Sequence, residues 1–321
     1  MIAYIIRRIL LTIPLMFGIS ILSFGIVHLA PGEPGALMMN PDISYEDRQA
    51  FIEDYGLNDP IHIQYIRWMG NILQGDFGDS LIQQGVPVSE LIMDRLPNTL
   101  LLMVVSSLLA IMIAIPFGVW SASKPYTLTD YSVTTASFLG IATPNFWLGL
   151  VLIMFFSVQL GWFPSGGVAT LNEPFSLWDR LHHLILPAFV LATADMASLT
   201  RYTRSSMMDV LDQDYIRTAR AKGFKQRKVV YKHGLRNGLI PVITILGLML
   251  PSFIGGAVVT EKIFNWPGLG LLFIDATFER DYPIIMAITM ISAVLVLIGN
   301  LIADILYAVT DPRIEYGKGE R

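Results

Sequence analysis

Long apolar runs with few or no charges alternate with polar segments along this chain. An α-helix needs roughly 20 consecutive apolar residues to cross the hydrocarbon core of a bilayer. Runs of about that length occur at residues 9–30, 98–121, 133–160, 183–199, 239–260 and 283–309. The pattern therefore predicts an all-α polytopic membrane protein with six transmembrane helices.

The composition supports a membrane location, because 53% of the 321 residues are hydrophobic and only 15% are charged. The mean hydropathy of +0.55 likewise lies outside the usual range for soluble domains. The chain contains no cysteine, so a disulfide framework, a thiolate metal site and a thiol nucleophile are all excluded.

Arg7 and Arg8 precede the first apolar run, an arrangement that signal peptides share. The run spans residues 9–30, and HLAPG at its end (residues 28–32) is a poor small-x-small cleavage site. Its length exceeds the apolar region of a signal peptide, which is about 7–15 residues. We therefore expect the first run to remain as a membrane helix.

The distribution of Lys and Arg indicates how the six predicted helices are oriented. If the spans alternate, one side receives sixteen of the 22 basic residues. These are Arg7, Arg8, Lys124, Arg201, Arg204, Arg217, Arg220, Lys222, Lys225, Arg227, Lys228, Lys232, Arg236, Arg313, Lys318 and Arg321. Cytoplasmic loops carry an excess of Lys and Arg, so both chain termini are predicted to be cytoplasmic.

Residues 31–97, on the opposite side, carry eleven acidic and three basic residues, a net charge of −8. Within them, SYEDRQAFIEDYGL predicts a helix that begins at Ser44 and stops at Gly56. PIHIQYIRWMGNILQG predicts a second helix that ends at Gly75. We expect a small ordered extracytoplasmic cap.

The predicted organisation is a cytoplasmic end with the first helix (1–30), the acidic cap (31–97), a core of five helices (98–309) that contains a basic cytoplasmic loop (200–238), and a cytoplasmic tail (310–321).

Two acidic residues, Asp195 and Asp304, lie inside predicted spans. A carboxylate is costly in a bilayer and usually faces a partner or a water-filled cavity. Both are therefore candidates for a translocation pathway, although interfacial water or a neighbouring hydroxyl would also satisfy them. The outer NWPGLG turn adds Trp266, Pro267 and Gly268 as candidates for an outer gate or a protein dock, with an ordinary turn needed for folding as the alternative.

Motifs of catalysis and nucleotide binding are missing from the sequence. It contains no G-x-x-x-x-G-K-[ST] phosphate loop, no H-E-x-x-H and no G-x-S-x-G. The chain is therefore predicted not to be an enzyme. If ATP drives transport, another subunit must hydrolyse it.

The densest run of positive charge, DYIRTARAKGFKQRKVVYKHGLRNGLIPV, lies between two apolar segments. A helix is predicted to begin at Gln213 or Asp214 and to end at Gly223, followed by a second helical piece over residues 225–237. Helical periodicity places Tyr215, Ile216 and Ala219 on one side and Arg217 on the other. The charge alone fits a topology signal or a surface for anionic lipid. The apolar face and cationic rim favour docking into a groove on a protein partner.

Five strings, in order along the chain, resemble dipeptide and oligopeptide permease subunits of ABC importers. They are MIAYIIRRIL, LGIATPNFWLGL, LTRYTRSSMMDVLDQDYIRTARAKG, TEKIFNWPGLG and DILYAVTDPRI. RTARAKG followed by LIP is similar to the cytoplasmic signature of importer permeases, a loop whose short helix inserts into the ATP-hydrolysing subunit. Under this resemblance Arg217, Thr218 and Ala219 occupy the Glu-Ala-Ala positions, Gly223 the glycine, and residues 239–241 the end of the motif. Arginine in place of glutamate and the longer glycine-to-proline spacing are features of the peptide-transporter branch.

The resemblance implies a set of ATPase-coupling residues and a set of partners. The coupling residues are Tyr215, Ile216, Arg217, Thr218, Ala219, Arg220, Ala221, Lys222, Gly223 and Phe224. The implied partners are a second homologous permease subunit, two ATP-binding subunits, an extracytoplasmic substrate-binding protein, a peptide substrate and the lipid bilayer, without nucleic acid. No cofactor is expected in this chain, since ATP and Mg²⁺ would be bound by the ATPases. The implied location is the cytoplasmic membrane of a bacterium or archaeon.

The function that the resemblance implies is that of half of a heterodimeric pore for ATP-driven peptide uptake. A nickel-importing permease of the same superfamily is the first alternative, since the scaffold does not reveal the cargo. A secondary transporter driven by an ion gradient is another, but it would favour paired intramembrane charges and inverted repeats, which the sequence lacks. A membrane-embedded enzyme is disfavoured by the missing motifs.

Overall fold

The computed structural model of the chain describes residues 2–29, 52, 56, 58–83 and 85–310. Side chains at positions 2–5, 7, 9, 240–241, 244, 246–256 and 306–310 are outside this description. Across the described ranges the regular structure is helical, apart from an isolated antiparallel bridge between Asp79 and Pro87. The predicted helix from Ser44 to Gly56 lies largely outside the described residues, and so does the tail after residue 310.

The described residues form the following α-helices. In chain order they are α1 (Ile2–Leu29), α2 (Ile61–Leu73), α3 (Val88–Ser123), α4 (Leu128–Ala142), α5 (Asn145–Leu152), α6 (Leu177–Leu211), α7 (Asp214–Ala221), α8 (Leu235–Ile263), α9 (Leu269–Glu279) and α10 (Tyr282–Thr310). A π-helical segment, Ile153–Gln159, continues α5. A helical turn, Gln226–Lys228, and a second π-helical segment, Val229–Gly234, lead into α8.

Four helical segments in the described part of the chain are long and apolar enough to cross a membrane. They are Leu10–Leu29, Val88–Ser123, Leu177–Leu211 and Tyr282–Ile305. The bent pair Leu128–Ala142 and Asn145–Gln159 makes a fifth if it is counted as one span. Helix α8 covers the predicted fifth span, but its side chains at 246–256 lie outside the described residues. The described chain thus has four or five candidate spans where the sequence predicts six.

The predicted span over residues 133–160 is not one straight helix, because α4 and the segment that follows it meet at an angle of 104°. Thr143 is extended, with φ −84° and ψ 119°, and Pro144 caps the start of α5. A proline disfavours the α conformation in the residue before it, since its ring clashes with that residue's backbone. The bend is the local consequence of Pro144.

The second helix predicted in the acidic segment is confirmed as α2, Ile61–Leu73. It is followed by Gly75 at φ +82°, a left-handed conformation that glycine adopts without steric cost. Tyr65 of α2 makes a hydrogen bond of 2.8 Å between its hydroxyl and the Ser20 hydroxyl of α1. Trp68 packs beside Phe24 of α1. These contacts attach α2 to α1, whereas the ordered cap over residues 31–97 as a whole stays a prediction.

The chain divides into two compact units. One contains Leu100–Trp266 together with Met1–Ile5 and Val296–Arg321. Its central helix is α6, in which 67% of the residues of the most apolar stretch are buried. The other contains Ile6–Thr99 and Pro267–Leu295. Its core includes Val88, Ile92, Leu269, Ile284 and Ile288, next to a cluster of aromatic side chains.

Candidate functional site

Helix α7 and the turn after it are built as the sequence predicts. The helix runs from Asp214 to Ala221, with extended Gln213 as the N-cap residue and Asp214 in the first turn, where a negative charge is favourable. Gly223 has φ +77°, and its amide donates to the Arg220 carbonyl at 2.9 Å. A left-handed glycine after the last helical residue is a common helix stop. The predicted short helix and its glycine terminator are confirmed.

The apolar face of α7 is packed against its own chain. Ile216 is 0% exposed and Ala219 is 6% exposed. Their neighbours in the buried cluster are Val119 and Ala122 of α3, Met207 and Leu211 of α6, and Val229 and Val230 of the π-helical segment. Ile216 and Ala219 are therefore not available to a partner, contrary to the expectation that the apolar face docks outward. They anchor α7 instead.

The outward face of α7 is basic and polar. The exposed residues of α7 are Asp214, Tyr215, Arg217, Thr218, Arg220 and Ala221, and Lys222, Gly223 and Phe224 just after it are exposed as well. The Arg217 side chain is 65% exposed, and its ion pairs with Asp212 and Asp214 are 3.5 Å long. Exposed pairs of that kind hold a side chain only weakly. The guanidinium is therefore accessible to an external acceptor.

Three contacts tie α7 and the turn after it to the returning helical segment, residues 226–238. Asn237 Nδ2 donates to the Tyr215 hydroxyl at 3.0 Å. Phe224 stacks on His233 with 5.5 Å between ring centroids, and the Lys228 ammonium lies 4.4 Å from the centre of the Phe224 ring. The segment after Gly223 thus folds back beside α7, which is the helix-turn-helix form that the sequence predicts.

Helix α6 and the returning segment, both of which contact α7, also pack closely against each other. A Cβ on Gly238 would lie 2.5 Å from the Met207 sulfur, and one on Gly234 would lie 3.2 Å from Leu211 Cδ2. The Ser206 hydroxyl also donates to the Gly238 carbonyl at 2.7 Å. A side chain at Gly238 would require Met207 to shift, and one at Gly234 would require Leu211 to give by a few tenths of an ångström, so both glycines allow a close approach to α6.

An ion pair between α4 and α6, which no motif of the sequence indicates, lies next to this region. Arg204 of α6 donates from Nε to Asp130 Oδ1 at 2.6 Å and from Nη2 to Asp130 Oδ2 at 2.7 Å. Asp130, in the first turn of α4, is 2% exposed. The Ser121 hydroxyl and the Tyr126 amide also donate to its carboxylate. The only sequence signal is an acid at the edge of an apolar run, and its partner is 74 residues away.

The two acids within predicted spans are found on different helices. Asp195 lies on α6 and Asp304 on α10, and both are half-buried. Each already makes an interaction within the chain. Their role in a translocation pathway stays a prediction.

Trp266 in the NWPGLG turn is a core residue. It is 0% exposed and packs among Leu102, Leu184, Ala188, Leu191 and Ala257. Its amide donates to the Glu261 carbonyl at 2.8 Å. Burial of this kind removes Trp266 from any surface to which another protein could dock, and it favours the folding role that the sequence left open.

The rest of the NWPGLG turn starts a helix. Gly268 is the extended N-cap residue of α9, an 11-residue helix that is too short to cross a bilayer. Asn98 Nδ2 donates to the Pro267 carbonyl at 2.9 Å, and the Leu269 amide donates to the Thr99 hydroxyl at 2.8 Å. The start of α9 is thereby fixed to α3. A gating role for Pro267 and Gly268 stays a prediction.

The helical fold, the apolar candidate spans and the anchored basic helix-turn-helix define a multi-pass membrane protein with a basic surface on one helix-turn-helix. Its sequence matches two family descriptions: "Binding-protein-dependent transport system inner membrane component" over residues 114–316, and the N-terminal membrane component of such systems over residues 1–103. The chain belongs to the family of inner membrane components of binding-protein-dependent transport systems. The resemblance read from the five sequence strings is confirmed.

Among curated relatives, the oligopeptide transport system permease protein AppB of Bacillus subtilis is 69% identical over 98% of this chain and 100% of its own length. The di/tripeptide transport system permease protein DppB of Pseudomonas aeruginosa is 41% identical over 98% of this chain and 99% of its own. The glutathione transport system permease protein GsiC of Salmonella typhi is 40% identical over 98% of this chain.

A solved structure of the MetNI methionine ABC transporter in inward-facing conformations has a similar fold. The TM-score is 0.56, and the match covers 69% of this chain and 96% of that chain. Sequence identity over the match is 17%, so the likeness concerns the fold alone.

Proposed function

We propose that this chain is the permease subunit of an ATP-driven peptide importer, in which it forms half of the translocation pathway. The observation that carries the proposal is the 69% identity to an oligopeptide transport permease, which extends over 98% of the chain. Relatives at about 40% identity are named for di/tripeptide and glutathione transport, so peptides are the cargo common to these relatives.

The chain would work with other subunits. A second homologous permease completes the pore, two ATP-binding subunits supply the energy, and an extracytoplasmic binding protein delivers the peptide. The chain itself is not an enzyme and holds no cofactor in this scheme. In this proposal the chain has six spans and cytoplasmic termini in a bacterial or archaeal membrane, an arrangement that would put the basic helix-turn-helix on the side where ATP is available.

The exposed face of α7 is the proposed contact to an ATPase. The basic side chains, among them Arg217 with 65% of its side chain exposed, suit an acidic or carbonyl-lined groove on that subunit. Ile216 and Ala219 pass the motion to α3 and α6, because they are embedded between these helices. ATP-driven closure of the ATPase pair would move α7 as a rigid lever and open the pathway alternately to each side.

The nickel-importing alternative is not favoured, because the relatives reported above are named for peptides. An ion-driven secondary transporter is disfavoured by membership in a binding-protein-dependent family. A nickel-loaded binding protein is included in the test below, because a peptide importer and a nickel importer would use the same scaffold.

Purification of the tagged chain in mild detergent, with mass identification of its partners, tests the proposal. ATP hydrolysis is then measured with the binding protein empty, loaded with peptide or loaded with nickel. We expect a second permease and ATPases to co-purify and peptide to stimulate hydrolysis. Stimulation by nickel alone would identify nickel, instead of peptide, as the transported substrate. Recovery of a homomer without ATPase would overturn the proposal.

A further inference from the structure

The carboxylate of Asp130 joins three helices at one point. It receives the two-pronged fork of Arg204 from α6, the hydroxyl of Ser121 from the last turn of α3, and the amide of Tyr126 from the connecting turn. A two-pronged arginine–carboxylate pair fixes the angle between its partners as well as their distance. The start of α4 is therefore held to α6 in one orientation.

The connecting turn is itself strained. Tyr126 has φ +61°, a left-handed conformation that costs a non-glycine residue free energy. Its amide donates to Asp130 Oδ2 at 2.9 Å, so the same carboxylate that binds Arg204 also holds the turn in this conformation. Loss of the carboxylate would free both the turn and the helix after it.

The Asp130 junction lies beside the residues that anchor α7. Ser121 precedes Ala122, and Arg204 lies one helical turn before Met207. Both Ala122 and Met207 pack in the buried cluster that contains Ile216 of α7. A displacement of α7 thus reaches α3 and α6 through apolar contacts, and it reaches α4 through the Asp130–Arg204 pair.

We propose that Asp130 and Arg204 are positioning residues that make the adjoining ends of α3, α4 and α6 move with α7 as one body when the ATPases act. The inference deepens the proposed function and rests on it. Without the pair, α7 would still be held by Ile216 and Ala219. The turn before α4 would then flex, and α4 would no longer move together with α7.

Neutral variants of the pair, studied in the complete transporter reconstituted in liposomes, separate positioning from stability. Asp130→Asn leaves the partly buried Arg204 without its counter-charge, and Arg204→Met leaves the buried Asp130 without its own. Each change lowers stability, whereas the double variant leaves no unpaired charge. We expect the double variant to assemble better than either single variant. We also expect its peptide transported per ATP hydrolysed to be about tenfold lower than in the unaltered transporter, the scale on which coupling residues act.

A double variant with a normal ratio of transport to hydrolysis would overturn the inference and leave the pair as a brace for stability. Asp209→Asn is the matched control, because Asp209 is an exposed carboxylate on the same helix as Arg204 and should leave the ratio unchanged. If the unaltered transporter shows no peptide-stimulated hydrolysis, the proposed function fails. If peptide stimulates hydrolysis by the unaltered transporter and the double variant has a normal ratio of transport to hydrolysis, only the positioning role fails.

The absence of cysteine from the chain allows a direct test of the single-body motion. Spin labels are attached to Leu128→Cys, an 82% exposed position in the first turn of α4, and to Lys225→Cys, an exposed position just after α7. We expect the distance between the labels to be the same without nucleotide and with ATP trapped. In the Asp130→Asn background it should change with ATP. A change in the unaltered background would overturn the inference.

Discussion

Gly118 of α3 and Thr203 of α6 approach so closely that a Cβ on Gly118 would lie 2.6 Å from Thr203 Cβ. The same Cβ would lie 2.8 Å from the Thr200 carbonyl, so no side-chain rotation relieves the clash. We expect Gly118→Ala to lower the free energy of unfolding by about 1–3 kcal/mol, the usual cost of overpacking a well-packed contact. Thermal unfolding of the purified complex measures the loss.

Gly25 of α1 is the control for this prediction, since a Cβ there would meet nothing within 4 Å. Both glycines are inside helices, so alanine brings the same gain in helix propensity at each. The Gly25→Ala complex should keep or raise its melting temperature. Equal melting temperatures for the two variants would show that α3 and α6 separate at no cost.

Gly223 terminates α7 in a left-handed conformation with open space around it. A substitution there acts through backbone strain rather than a clash, at about 1–2 kcal/mol for an ordinary residue. We expect Gly223→Val or Gly223→Pro to insert normally in the membrane but to lose ATPase association and uptake. Gly223→Asn should retain both, because asparagine tolerates this conformation better. Co-purification of the ATPases with the tagged chain is the measurement.

Gly161 provides a matched control, because it also has positive φ, at +63°, and open space. Gly161→Val carries similar strain in the loop after the π-helical segment that continues α5. It should keep the ATPases bound. Normal recovery of ATPases with Gly223→Val would rule out the lever role of α7.

Ile216 and Arg217 are neighbours with opposite surroundings. Ile216→Ala should destabilise the protein by about 2–4 kcal/mol, because it opens a cavity in a closed cluster. Arg217→Ala should change the free energy of unfolding by no more than about 1 kcal/mol, because its ion pairs are exposed. It should nevertheless weaken ATPase binding. Melting of the isolated chain and affinity for the ATPases are measured separately. Parallel losses in both variants would contradict this division.

Asp195→Asn should preserve uptake per assembled complex. Asp195 is half-buried and already has a partner in the chain, and an amide keeps much of the hydrogen-bonding capacity of the carboxylate. Peptide uptake is normalised to the amount of complex in the membrane. Complete loss of uptake with normal assembly would instead indicate that the negative charge acts in the pathway.

Local signals in the sequence were sufficient for several features. The capping acid Asp214 and the left-handed Gly223 define α7, and the spacing of Ile216 and Ala219 defines its apolar face. The proline at position 144 carries the information for the bend after α4, although the length of the apolar run favours one continuous span. Signals of this kind depend on residues a few positions apart, which a sequence displays directly.

By itself, the sequence determined the all-helical membrane class, the short basic helix and its glycine stop, because apolar run length and helix capping are local properties. Only the tertiary structure decided that Ile216 faces α3 and α6 rather than a partner, and that Trp266 is in the core. It also decided that Asp130 meets Arg204 across 74 residues. Such pairings arise from the packing of distant helices, and helical periodicity shows which face is apolar but not what covers it.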